Sequence, residues 1–495
     1  MAGAHARMMR LTMFATPQPG IDRAALERTL CELGRVERLA DLGASGPLMA
    51  SAGADSLYHC LFGRDALRMA MDLLDDFPAV ARATLVDLAR LQGVVDNPPA
   101  EEEPGRILHE HRHPDDPHAM RLKAQLGWEF PYYGAVDTTP QWINLLGAYC
   151  AHYGTDLLDE IVTDRLWRRV TLRDSLLAAL VWIVTRLDDP ASRGYMCVRR
   201  AYPTGIPNQV WEDSPDSYYH ADGSVFDFTR PYAPVAVQGY VYDALLAAAD
   251  LLERAPGPLP VQPAQLRARA AGLRARVLAE FWQADLGVFA QALTVEPHGT
   301  LQPARVVASS AGHLLAGRLL DGADAAPVRE RLIERLLAPD LLAGPGIRTK
   351  STTAARFGAG TYHNGSSWPM DTGVIADGLR RHGRERAADD LDGRILRACA
   401  EVGGFPEFFR AEQDGSVRVN RETIDVVQDS TVNRLEQPPQ AVQGWTATRV
   451  WRIVRRREQE PRPVLTVVAP TRKCSTVEFR QLQRAGIGEQ HATAA

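Results

Sequence analysis

Lysine is nearly missing from this chain: of 56 basic side chains only three, at positions 123, 350 and 473, are lysines, and arginine supplies the rest. Acidic residues number 61, giving a formal net charge of -5 at pH 7, so there is no basic surplus to hold a phosphate backbone or an anionic bilayer surface. Nucleic acid and membrane are therefore not expected as partners. No run of eighteen consecutive apolar residues offers a span, and the opening residues MAGAHARMMRLTMF carry no long apolar stretch ahead of a cleavage site. The six cysteines, 31, 60, 150, 197, 399 and 474, include no CxxC pair, and several fall in apolar helical patterns. That usage points to buried free thiols in a reducing compartment and a cytoplasmic protein. His109, His111, His113 and His118 cluster without any closed zinc spacing, so they read as part of a solvated loop; no metal and no cofactor is expected.

Alternating strand patterns of any length are also absent, whereas helical periodicity recurs throughout. Leu26, Leu30 and Leu33 lie on one helical face, and helices are expected over 23–39, 66–74, 80–94, 140–153, 175–186, 235–253, 265–282, 306–319, 328–337, 365–382, 385–402 and 437–453. Eleven or twelve helices in pairs, with polar aromatic motifs on the loops of one side and no fixed short repeat, favour a closed toroid over a solenoid. The expected fold is all-α, an (α/α)6 barrel of six hairpins forming a single catalytic domain over 51–457. An N-terminal helical entry segment occupies 1–50, and 458–495 form a tail with short strands at 464–468 and 477–479 or no order. Between the helices, 96–138 is a long irregular segment rich in Pro, acid and His, of a length that is usually functional when ordered.

Residues 208–217, NQVWEDSPDS, pack a Trp, an amide pair and the carboxylates Glu212, Asp213 and Asp216 between a Pro/Gly turn and a long apolar helix. A carboxyl beside an indole at the mouth of a helical scaffold loses solvating water, which raises its pKa and suits a general acid. Capping of a short turn by Asp213 and Ser214 is the other reading of the loop taken alone. Two more loops carry the same chemistry: 360–369, GTYHNGSSWP, and 403–409, GGFPEFF. Pyranose rings present C–H faces that stack on aromatics and hydroxyl rims that need fixed donors and acceptors. Glu407, set among Phe405, Pro406, Phe408 and Phe409, is the natural second carboxylate for glycosidic hydrolysis.

Taken in order, FGRD before a helix, EEEPGRILHEHR, PYYGAVDTTP, NQVWEDSPDSYYHADG, VQGYVYDALL, IRT, YHNGSSWPMDTGVIADGLRRHG and FPEFF resemble the amylo-α-1,6-glucosidase, or glycogen-debranching-type, family over 58–453. The family is similar to other inverting α-glycosidases on (α/α)6 barrels, including glucoamylases, trehalases and mannosylglycerate or glucosylglycerate hydrolases. The resemblance implies that Asp213 is the general acid and Glu407 the general base that activates water. It implies that Arg64 and Asp65 grip the hydroxyls of the non-reducing sugar. Phe62, Tyr133, Trp211 and Trp368 would form aromatic walls, and Gln209, His363 and Asn364 polar contacts, with Asp137 of the PYYGAVD motif also in the sugar site. Glu436 is the rival base and Glu212 the rival acid.

Two departures bear on substrate. Only about fifty residues precede FGRD, where family members carry a β-rich domain, and WEDS and FFRA replace the family's usual sequences beside the two carboxylates. The expected activity is therefore metal-independent, inverting hydrolysis of an α-glucosidic bond in a short oligosaccharide or small glucoside, with a carbohydrate as partner and the oligomeric state open. The carboxyl groups should stand roughly 6.5 to 9.5 Å apart to admit water. Alternatives are a mannosylglycerate- or glucosylglycerate-type hydrolase, a sugar epimerase on a similar toroid, and a catalytically silent sugar-binding protein.

Overall fold

Helices dominate the computed structural model, which describes residues 20–53, 56–255, 261–296, 298–428 and 431–459. In chain order they are α1 (Arg23–Gly34), α2 (Gly63–Asp72), α3 (Pro78–Arg90), α4 (Pro117–Leu126), α5 (Thr138–Tyr153), α6 (Leu172–Asp188), α7 (Val235–Arg254), α8 (Pro263–Glu280), α9 (His313–Ala316), α10 (Ala326–Leu336), α11 (Pro369–Arg381), α12 (Glu385–Val402) and α13 (Gly444–Gln459). Local chemistry sets many boundaries. Asp22 accepts from Ala25 N–H to start α1, and Thr171 with Asp174 forms a capping box at α6. Prolines open α3, α4, α8 and α11, where the missing N–H costs nothing.

One set of helices packs in series, α2 on α5, α5 on α7 and α9 on α11, while α3, α8 and α12 lie against α2, α7 and α11 respectively. Trp142 on α5 is fully buried, its indole N–H donating to Leu85 O at 3.1 Å, and truncating such a side chain costs about 3–5 kcal/mol. Arg449 of α13, 2% exposed, pairs with Asp72 of α2 and Asp377 of α11, each at 2.7 Å. The 20-residue α7 is long and apolar enough to cross a membrane by composition, and 72% of its most apolar window is buried within the protein. The chain divides into 1–453 and 454–495; the strands expected in the tail lie outside the described residues.

Strands are present, contrary to the helix-only pattern of the sequence, but among the described residues none exceeds six residues. Too short to show a period, they pin loops in two- and three-stranded ribbons. Leu61–Phe62 pairs antiparallel with Glu110–His111, which corrects the reading of the His-rich segment as a solvated loop. Arg106, His109, Glu110 and Arg112 are all under 5% exposed, and α4 follows; of the four histidines only His113 is exposed. The helix expected over 306–319 is instead a 3-10 turn, Ser309–Gly312, and the single turn α9. Gly317 ends it in extended backbone, where any Cβ would lie 1.9 Å from Asp243 Oδ2.

Candidate active site

The FGRD turn starts α2 and sits directly on the segment carrying His109. Gly63 N–H donates to His109 O at 2.8 Å, and a Cβ at Gly63 would stand 2.2 Å from Leu108 O, so only glycine permits this approach. The turn aims Arg64 inward, 4% exposed, where its Nε and Nη2 grip Asp137 Oδ2 and Oδ1 at 2.7 and 3.1 Å. Asp137 precedes α5 and is wholly buried, so it anchors the guanidinium from behind instead of facing the cavity. Arg64 Nη1 is then 3.9 Å from Asp213 Oδ2. Asp65 accepts from Gln443 Nε2 at 2.7 Å, a link from α2 to the residue before α13.

Asp213 and Glu407 line one narrow cavity of about 50 Å³ with Phe62, Arg64, Asp65, Trp211 and Trp368. Their surroundings differ. The Glu407 carboxylate accepts from Tyr362 Oη at 2.5 Å and from Gln440 N–H at 3.1 Å. Asp213 accepts no hydrogen bond from another residue among the described residues, and 33% of its side-chain surface is open. Burial pushes the Asp213 carboxyl up to about 7 against the opposing pull of Arg64. Burial likewise pushes Glu407 up to about 7, opposed by the Tyr362 and Gln440 donors. Asp65 rises to about 7 for the same first cause, with Arg64 again opposing.

The neighbouring carboxylates are otherwise engaged. Glu212, fully buried, meets Lys350 Nζ at 2.5 Å and Tyr218 Oη at 3.1 Å. Glu436 pairs with Arg410 and does not line the cavity. Among the described residues no three His, Cys, Asp or Glu side chains converge as metal ligands.

Aromatic rings wall the cavity: Trp211 meets Trp368 edge-on at 5.8 Å, Trp445 meets Trp368 at 5.8 Å, and Phe62 meets His109 at 5.3 Å. Tyr133, expected as a wall, lies elsewhere: its hydroxyl donates to Leu91 O at 2.5 Å and accepts from Arg165. Gln209 accepts from Arg106 at 2.6 Å, Asn364 donates to Asp216 Oδ2 at 2.8 Å, and His363 Nδ1 is 3.0 Å from Ser214 Oγ. These three hold the loops that carry the lining residues; they do not line the cavity. Burial holds the His363 imidazole well below its usual pKa, so it is neutral. Lining residues that sequence reasoning did not assign are Ala50, Tyr58, His109, Tyr362, Gln443 and Trp445. Buried polar atoms of the lining, Trp211 Nε1, Trp445 Nε1, His109 Nδ1 and Gln443 Oε1, have no protein partner among the described residues. Donors and acceptors so arranged around carboxylates and ring faces match the hydroxyl rim and C–H face of a sugar.

Residues 129–420 match the mannosylglycerate hydrolase MGH1-like glycoside hydrolase domain family. The chain belongs to this family. A solved structure of the GH63 mannosylglycerate hydrolase from Thermus thermophilus with Tris and D-glycerate is 14% identical, covering 86% of this chain and 99% of that one, with a TM-score of 0.56. The same enzyme with glucose gives a TM-score of 0.55 at 14% identity over 87% and 98% of the two chains. A solved structure of a glycosidase E178A variant is 17% identical over 89% and 100% of the two chains, with a TM-score of 0.50. No curated protein matches. The MGH1-like assignment makes this a glycoside hydrolase and replaces the narrower debranching-type resemblance with a broader one, to glycosidases on helical barrels.

Proposed function

We propose that the chain hydrolyses a small α-glycoside with inversion at the anomeric carbon, Asp213 serving as general acid and Glu407 as general base. The observation that carries this reading is the unequal hydrogen bonding of two carboxyls in one cavity. Donors from Tyr362 and Gln440 favour the ionised form of Glu407, whereas Asp213, desolvated and without a donor, favours the protonated form. Asp213 gives its proton to the glycosidic oxygen as the C–O bond breaks. Glu407 takes a proton from the water that attacks the opposite face, so the products are a free sugar of inverted configuration and the released alcohol. Arg64 and Asp65, with the unpartnered Trp211, Trp445, His109 and Gln443 atoms, would hold the hydroxyls of that sugar. Neither carboxyl needs a metal in this scheme.

The alternating helices are read as six hairpins closing into an (α/α)6 toroid, with 51–457 as the catalytic domain. The matched family and the narrow cavity support a compact substrate of the mannosylglycerate or glucosylglycerate type over a branched glucan. Unpaired cysteines at 31, 60, 150, 197 and 399 support work in the cytoplasm.

Incubation with mannosylglycerate, glucosylglycerate, trehalose, kojibiose, maltose, isomaltose and glycogen, followed through anomeric protons by NMR, tests the proposal. The expected result is initial release of the β-anomer from one small α-glycoside, abolished in Asp213→Asn and Glu407→Gln. Initial release of the α-anomer would exclude inversion, and turnover of glycogen alone would restore the debranching reading.

A further inference from the structure

The narrow slot between the carboxylates is not the roomiest space in the protein. A cavity of about 690 Å³ opens among α2, α5, α7, α9, α11 and α13. It is separated from the slot by the stacked pair His313 and Trp211, ring centroids 5.8 Å apart, His313 lining one space and Trp211 the other. Nothing in the hydrolytic scheme uses it.

Its lining carries six arginines against three aspartates. Most of that charge is paired internally: Arg318 with Asp243 and Asp250, Arg449 and Arg452 with Asp377, and Arg381 with Asp321 outside the cavity. Two guanidinium groups remain. Arg68, half-buried, lies over the Tyr240 ring at 5.5 Å with no carboxylate in ion-pair range among the described residues, and Arg254 at the end of α7 is likewise unpaired and exposed. A guanidinium half removed from water without a counter-ion favours an anionic ligand, and its planar fork suits carboxylate or phosphate.

The same space holds groups that address hydroxyls. Asn144 donates to Tyr240 O at 3.1 Å, leaving its buried Oδ1 without a partner among the described residues. Gln141, 8% exposed on the preceding turn of α5, makes no side-chain hydrogen bond among the described residues. An unmatched acceptor beside an amide and an unpaired guanidinium selects a molecule with both O–H donors and an anionic head.

We propose that this second cavity is a binding site for a small hydroxylated oxyanion, a sugar acid or a sugar phosphate, with Arg68 as its counter-ion, Asn144 and Gln141 on its hydroxyls, and Arg254 at the mouth. The site is distinct from the hydrolytic slot and does not depend on the roles assigned to Asp213 and Glu407.

Isothermal titration of the full chain with gluconate, glucose 6-phosphate, inorganic phosphate and neutral glucose tests it, repeated on Arg68→Gln, Arg254→Gln and Arg64→Gln. Gluconate or glucose 6-phosphate should bind more tightly than glucose or inorganic phosphate, and which of the two binds tells the carboxylate from the phosphate source. Arg68→Gln should weaken that binding roughly tenfold or more, Arg254→Gln severalfold, and Arg64→Gln not at all. Absence of oxyanion binding to the unaltered chain overturns the proposal. So does an affinity that follows Arg64 instead of Arg68, which would place the anion in the slot. Circular dichroism establishes that each variant is folded; should Arg68→Gln fail to fold, an unchanged affinity in Arg254→Gln is itself the overturning result.

Discussion

At the scale of single residues, the asymmetry between Asp213 and Glu407 rests on two donors, the Gln440 N–H and the Tyr362 phenol, and the phenol can be removed by substitution. Tyr362 donates to Glu407 at 2.5 Å, and a hydrogen bond to the ionised form lowers a carboxyl's pKa. Tyr362→Phe should therefore raise the Glu407 pKa, move the acidic limb of the kcat/KM profile to higher pH, and lower the rate at pH 6 by roughly tenfold or more. A structural role alone would lower the rate without moving the limb. In the unaltered protein both carboxyls are pushed to about 7, so kcat/KM should peak near neutrality and fall on both sides, its limbs belonging to the coupled pair. The same shift has a consequence for stability. Between the ordinary Glu value of 4.5 and about 7, folded Glu407 keeps a proton that the unfolded chain releases. Stability from this group therefore falls as pH rises through that window and stays low above it. Glu407→Gln, which removes the buried charge, should unfold at higher urea by about 1–3 kcal/mol at pH 8 and show no gain at pH 4.

At the scale of elements, the 208–217 loop is held from beneath by a buried ion pair. Lys350, one of three lysines in the chain, reaches Glu212 at 2.5 Å, and both side chains are wholly buried. Lys350→Met should cost about 3–5 kcal/mol by stranding the Glu212 charge, while Lys350→Met with Glu212→Gln should recover most of that in thermal unfolding. Adjacent positions thus divide the work: Glu212 fixes the loop and Asp213 faces the cavity. Sequence alone left these two as rivals, because nothing in WEDS shows that a lysine 138 positions onward lies underneath. Long helices with a clean apolar face, such as α5 and α7, were legible from periodicity. The 306–319 stretch was not: its apolar pattern suits a helix, yet 306–308 lie outside any helix, 309–312 form a 3-10 turn, and Gly317 follows a single α turn in extended backbone. The burial of 106–112 was equally hidden: its Arg, Glu and His residues look solvated until paired across the Leu61–Phe62 ribbon.

At the scale of the molecule, site residues cluster where α2, α5, α11 and α13 begin: Arg64 and Asp65, Asp137, Trp368, and Gln443 with Trp445. Motifs at such loop-to-helix junctions are readable in sequence and single out Arg64, Asp65 and Trp368, while Asp213 and Glu407 stand out in polar aromatic loops away from any helix start. Gln443, His109 and Tyr58 were not, because their place depends on contacts across the whole chain, Gln443 reaching Asp65 over 378 positions. That contact links α2 to the start of α13, and Arg449 repeats the link at depth by pairing with Asp72 of α2 and Asp377 of α11. A ring and an open array answer differently to losing this seam. In an array each hairpin depends only on its neighbours, so Arg449→Met would loosen the last hairpin and leave the rest to melt separately. In a ring α13 is a neighbour of α2, and losing the buried Arg449, which leaves Asp72 and the half-buried Asp377 paired with Arg452, lowers the whole assembly together. The proposed toroid therefore predicts that Arg449→Met loses about 1–3 kcal/mol in one cooperative transition, with calorimetric and van't Hoff enthalpies still equal. Two resolved transitions would mean that α13 closes nothing.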